Sequence, residues 1–240
     1  MRAKFINEFE RGLEPKAALG IGRIAKIQKL FRDLDIPDKY YTITPTEVIL
    51  NRDLNLSGTN VTWLPDNLSI NGILDLENSL ITKLPNNLEI RDNLWLSNSL
   101  ITELPNNLKV HGDLWLGYSK ITELPDNLEI HGKLRLGSSK ITELPNDLKV
   151  HGNLLLEYSL ITELPNDLKV HGNLWLGYSK ITELPNNLEI HGDLWLGNSL
   201  ITELPNDLQV GQHIYVRPRQ KQLIKFIENS SFANKLRIRA

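Results

Sequence analysis

Between residues 64 and 203 the apolar positions follow one template, repeated seven times at a period of 20 residues without insertion or deletion. In the copy Leu184 to Glu203, the apolar candidates for an inward face are Leu184, Leu188, Ile190, Leu194, Leu196 and Ile201. Leu188-Glu189-Ile190 and Leu194-Trp195-Leu196 alternate apolar with exposed positions, the period of two expected of short strands with one buried face. Gly192 falls between them, where glycine suits a turn. Pro185 opens the other side, where a missing N–H favours extended backbone over ladder pairing. The Leu-Pro register starts at Leu64-Pro65 and returns an eighth time at Leu204-Pro205. Upstream, Pro45, Val48, Leu50, Leu54, Leu56, Thr59 and Val61 mark a degenerate copy.

A short fixed period means that no unit buries its apolar face alone, so the units must stack. The predicted fold is a mainly-β repeat solenoid of about nine coils over residues 41–216, with equivalent residues about 4.7–4.9 Å apart. The end coils of such a stack need covers. Ala3–Arg11 and Arg23–Asp33 read as amphipathic helices, the second with Ile24, Ile27, Leu30 and Phe31 at helical spacing and Pro37 beyond its end. Gln220–Glu228 places Leu223, Ile224 and Ile227 on one face, followed by an Asn-Ser-Ser break and a short tail. The expected division is a helical cap over 1–40, the solenoid over 41–216 and a second helical cap over 217–240.

The net charge of −2 hides a segregation. Residues 1–40 hold nine Lys/Arg against six Asp/Glu, residues 41–210 hold 11 against 22, and residues 211–240 hold seven against one. An acidic rod with basic ends suits solubility and electrostatic docking of the caps. The chain has no cysteine, which excludes disulfides, thiolate metal sites and a cysteine nucleophile. No apolar run approaches the length of a membrane span. The stretch MRAKFINEFERG has no continuous apolar region, so a cytoplasmic location is expected over secretion.

Leu194, Leu196, Ser199 in place of the usual Asn, Ile201 and Leu204 resemble the leucine-rich repeat from its second leucine onward. The 20-residue length and the Leu-Pro segment look most like the short repeats of bacterial secreted effectors, and like repeat proteins of bacterial and large-phage genomes. The family's first leucine falls on His191, whereas the apolar residue is Ile190. A β-helix with two short strands per coil therefore stays open beside a leucine-rich-repeat coil. The resemblance implies a recognition surface on the concave strand face and, for a phage protein or effector, residence in a host cytoplasm. The ubiquitin-ligase activity of some effectors needs a cysteine nucleophile and is not carried over.

Function must then reside in the outward columns. The middle of the Leu-x-Leu strand reads Asp75, Trp95, Trp115, Arg135, Leu155, Trp175 and Trp195, then Tyr215 in the final coil. Three residues on run Asn78, Asn98, Tyr118, Ser138, Tyr158, Tyr178 and Asn198. Tryptophan and tyrosine combine apolar area with a polar handle and are enriched at binding hot spots. Trp95, Trp115, Arg135, Leu155, Trp175, Trp195, Tyr118, Tyr158 and Tyr178 are the candidate partner-binding residues. Cross-strand stacking alone is the competing explanation for the tryptophans.

The other columns read as structural. A serine column from Ser79 to Ser199 suggests a hydrogen-bonded ladder at a bend. His111, His131, His151, His171 and His191 read as a solvated or stacked ladder and not a metal site, since no mixed carboxylate or cysteine set accompanies them and Asn71 and Arg91 continue the same column. Glu103 to Glu203 stack like charges, with Lys120, Lys140 and Lys180 as plausible partners. Glu89, Lys109, Glu129, Lys149, Lys169 and Glu189 mostly alternate in sign, which suits weak surface pairs. The threonine column Thr62 to Thr202 lacks the second threonine column that ice-binding solenoids generally show.

No unique position combines a nucleophile, a base and an oxyanion donor. The expected function is non-enzymatic protein recognition, with no catalytic residue, metal or cofactor. One alternative is DNA binding by a helix-turn-helix-like segment, with Gly20 and Ile21 in the turn and Arg23, Lys26, Lys29 and Arg32 on the second helix. Another is a structural solenoid that self-associates.

Overall fold

A computed structural model describes residues 15–239. The expected helix at Ala3–Arg11 lies outside them. The chain forms a β-solenoid of about ten coils, each contributing two short parallel strands separated by a bend at the glycine column. The first strands of the coils, such as Glu189–Ile190, build one ten-stranded sheet, and the second strands, such as Leu194–Trp195, build another. Register is in phase with the repeat: Leu174 faces Leu194, and Lys169 faces Glu189. The two-strand coil is thus the form adopted, with Ile190 and not His191 facing inward.

The six template positions are the core. In the copy Leu184 to Glu203 none of them is more than 7% exposed. At about 1.5–3 kcal/mol per fully buried aliphatic, this interior stabilises every coil against its neighbours. The buried leucines of the second strands also join the intercoil ladder, as when Leu174 N donates to Asp193 O at 2.9 Å.

The glycine column has a steric cause. None of Gly112, Gly132, Gly152, Gly172 and Gly192 has positive φ. A Cβ on Gly152 would instead lie 2.4 Å from the Gly132 carbonyl oxygen, because the coils approach closely where each glycine N–H donates to the coil before it. Asparagine and aspartate one residue on complete this bend. Asn173 N donates to Asn153 Oδ1 at 2.9 Å and Asp193 N to Asn173 Oδ1 at 2.8 Å. The serines do less than expected. Ser179 Oγ donates to Leu176 O at 2.8 Å, but the hydroxyls of Ser79, Ser99, Ser119, Ser139, Ser159 and Ser199 make no hydrogen bond among the described residues. Their backbone N–H groups close the turn, as in Ser119 N to Leu116 O at 3.1 Å.

Helix α1 spans Pro15–Asp33 without interruption, passing through Gly20 and Ile21, so the helix-turn-helix turn does not form. It ends with Asp35 at φ 52°, Asp35 N donating to Arg32 O and Ile36 N to Phe31 O, a left-handed stop that satisfies the last carbonyls. Ile27, Leu30 and Phe31 are buried, and Phe31 packs 4.8 Å from the Tyr41 ring. Arg23 donates to the carbonyls of Thr44, Pro45 and Asp66, and Lys26 Nζ sits 4.2 Å over the Trp63 ring. Two of the residues expected to meet phosphates are therefore held by the first coils. The first sheet opens with Tyr41–Ile43, antiparallel to Val48–Leu50.

At the other end helix α2, Lys221–Glu228, buries Leu223 and Ile227. Gln220 locks it to the last full coil: its amide donates to Leu196 O and its carbonyl accepts from Asn198 N and Arg217 N. The expected tail is in part a strand, Leu236–Ile238, which pairs in parallel with Ile214–Val216 and closes the second sheet. No helix among the described residues is long and apolar enough to cross a membrane.

Candidate functional site: an aromatic groove on the second sheet

The Leu-x-Leu strands aim their middle side chains away from the core, and the parallel register stacks them. Trp175 and Trp195 are parallel at 4.3 Å between centroids, and Trp195 and Tyr215 follow at 3.9 Å. Trp95 and Trp115 are tilted and farther apart, at 5.7 Å. Arg135 does not break the column: its guanidinium lies 5.7 Å from the Trp115 centroid and continues the stack as a cation–π contact. The rings are half-buried, and Nε1 of Trp95, Trp175 and Trp195 is enclosed without a hydrogen-bond partner among the described residues. Their faces are spent on one another.

The tyrosines behave differently. Tyr118, Tyr158 and Tyr178 are 71%, 59% and 48% exposed, and all three hold φ of 57–58°. Each occupies the third position of a turn closed by the following serine N–H, where a positive φ suits glycine or asparagine. Asn78, Asn98 and Asn198 fill this position in other coils. Tyr158 and Tyr178 stack at 4.7 Å. Among the described residues none of the three hydroxyls makes a hydrogen bond.

Tyrosine wall and tryptophan floor together border a groove of about 650 Å³ across the C-terminal coils. Of the nine candidates, Tyr118, Arg135, Leu155, Tyr158, Trp175, Tyr178 and Trp195 line it. Trp95 and Trp115 do not. The groove also recruits Glu157, Tyr215, Arg217 and Arg239. Arg239 lies 4.5 Å over Tyr215 and 5.2 Å over Trp195. It reaches the groove only because the tail adds a strand, which no periodic signal announced. Glu157 is half-buried, and desolvation pushes its carboxyl above the usual value, opposed by its own backbone N–H and by Arg135.

The opposite sheet carries the histidines. His111, His131, His151 and His171 stack at 4.9–5.3 Å, and His191 meets His171 edge-on at 4.8 Å. The glutamates beside them pair with this row more than with lysine. His151 Nε2 lies 3.0 Å from Glu129, and His191 Nε2 lies 2.6 Å from Glu189, which Lys169 also reaches at 3.0 Å. These contacts hold the Glu129 carboxyl below its ordinary value, chiefly through the His151 hydrogen bond, and the Glu189 carboxyl likewise, through His191 and then Lys169. In the Glu103 to Glu203 column the only ion pair among the described residues is Lys83–Glu103 at 3.5 Å. Lys120, Lys140 and Lys180 make none, and solvent screens these exposed glutamates instead.

Compared with known proteins, the chain matches no family model, and no curated protein matches it significantly.

Proposed function

We propose that the chain is a non-enzymatic recognition module that binds a protein partner along the groove of its second sheet. The observation that carries this reading is the set of exposed tyrosines held at left-handed φ. A bulky residue there costs about 1–2 kcal/mol of backbone strain, and at 48–71% exposure little burial offsets it. Asparagine does the structural work in neighbouring coils, so the tyrosines serve something other than the fold. The leucine-rich-repeat likeness of Leu194, Leu196, Ser199, Ile201 and Leu204 belongs to this reading, since that family recognises proteins on its strand face.

The groove's chemistry narrows the partner. Stacked rings offer their edges, the positive end of the ring quadrupole. Arg135 and Arg239 make no salt bridge among the described residues, and three tyrosine hydroxyls are open to bonding. Ring edges, guanidinium groups and hydroxyls together fit an extended acidic peptide segment, which supplies carboxylates and main-chain carbonyls. Nucleobase or sugar stacking on the tryptophans is disfavoured because those ring faces are occupied. For DNA the N-terminal helix offers fewer free cations than expected, its Arg23 and Lys26 being engaged with the solenoid and its Lys29 with Asp33.

The test is affinity capture from a native-host extract by the wild-type chain and by a variant carrying Tyr158→Ser, Tyr178→Ser, Trp175→Thr and Trp195→Thr. A protein retained by the first and lost from the second is expected, with circular dichroism showing both folded. Equal retention by two folded baits contradicts the reading. Recovery of nucleic acid alone, or of the chain alone, favours the DNA-binding or self-assembling alternative.

A further inference from the structure

On the sheet opposite the groove, the histidine row and the charged column beside it meet in one place unlike the rest. Glu129 lies between two imidazoles: His131 of its own coil, whose Nε2 is 3.9 Å away, and His151 of the next coil, whose Nε2 is 3.0 Å away. One ligand atom from each of the three lies within 4.8 Å of the other two. Neither related glutamate has this setting. Glu89 is flanked by the Arg91 guanidinium at 2.9 Å and by one imidazole, His111, at 3.2 Å. Glu189 has His191 at 2.6 Å, but the next coil carries Gly211 where a second histidine would stand. An otherwise periodic array is asymmetric here.

We propose that Glu129, His131 and His151 form a binding site for one divalent transition-metal ion, with zinc as the best match. Two imidazole nitrogens and a carboxylate oxygen are a borderline donor set that suits zinc, copper or nickel over magnesium or calcium. The size fits as well. Tetrahedral zinc with ligands at 2.0–2.2 Å places them about 3.3 Å from one another, and the two observed His–Glu separations, 3.0 and 3.9 Å, bracket that value. The backbone is already in place, because Glu129 pairs with Lys149 and Ile130 with Val150 in the parallel ladder. Only exposed side-chain torsions need to adjust. Three protein ligands leave a fourth position for water or for a donor from another molecule.

The probe is zinc chloride alone, titrated calorimetrically into the full chain in metal-free buffer, with thermal melts alongside. One ion per chain is expected, with a raised melting temperature. Glu129→Gln, His131→Asn and His151→Asn should each weaken binding about tenfold or more and abolish the thermal shift. The sequence supplies matched controls, since Glu89→Gln, Glu189→Gln and His191→Asn should leave affinity within about twofold. All six positions lie on the surface, and circular dichroism verifies that each variant is folded. Absence of zinc binding overturns the proposal. So does binding that survives Glu129→Gln, or that falls equally in the controls, because either result assigns the ion to the stacked histidines at large. None of these outcomes depends on the groove.

Discussion

Tyr118 sits at φ 57° with its ring 71% exposed and, among the described residues, no aromatic neighbour in contact, so at this residue strain and function are most cleanly separated. Tyr118→Asn should stabilise the chain by about 0.5–1 kcal/mol, because asparagine tolerates left-handed backbone, while weakening partner capture. Urea denaturation checks the first effect, and a loss of stability would show that the tyrosine serves the fold. Glu157 gives a pH signature. Its carboxyl titrates above the ordinary value of 4.5 because burial penalises the charged form. The folded state therefore holds its proton more tightly than the unfolded state, and the associated stability is present in full below the ordinary value. It is lost as pH rises through the shifted one. Glu157→Gln should accordingly be more stable than wild type at pH 7, with the difference shrinking toward pH 3. Melts across that range that run parallel contradict this.

At the scale of the coil, the bend at the glycine column sets how closely neighbours approach. Gly152→Ala would drive a methyl group into the Gly132 carbonyl at 2.4 Å, and both atoms belong to laddered backbone that cannot yield cheaply. A loss of about 1–3 kcal/mol is expected. Gly22, inside helix α1 with no described residue within 4 Å of its would-be Cβ beyond its own helix turn, should instead gain about 0.5–1 kcal/mol on substitution by alanine. Equal effects at the two sites in denaturant unfolding would show that close approach is not the cause. Leu188 to Leu196 announced both strands and the bend between them, because alternation and a recurring glycine, replaced only by Asp92 among the seven copies, are local signals. The Asn153 and Asn173 ladder was not legible: its bonds join residues 20 apart, and a lone Asn or Asp after glycine reads as an ordinary turn. The contact of Glu129 with His151 was hidden for a related reason, since the two come together only when neighbouring coils stack in register.

Over the whole molecule the 20-residue period established a solenoid and helical spacing its two capping helices, but neither announced the strand that closes it. The closing strand Leu236–Ile238 belongs to no repeat, and with it Arg239 comes to cover Trp195 and Tyr215. The groove is therefore a property of the C-terminal coils and their cap, while the N-terminal coils share the scaffold without lining it. In a stack held by nearest-neighbour contacts, removing one complete coil leaves compatible faces to rejoin. This permits the most direct test of the account. Two in-frame deletions of equal length, residues 84–103 and residues 164–183, remove Trp95 from outside the groove or Trp175 and Tyr178 from within it. With both proteins folded by circular dichroism, the first deletion is expected to retain the partner and the second to lose it. Retention by both, or loss by both, would contradict a binding site localised to the groove.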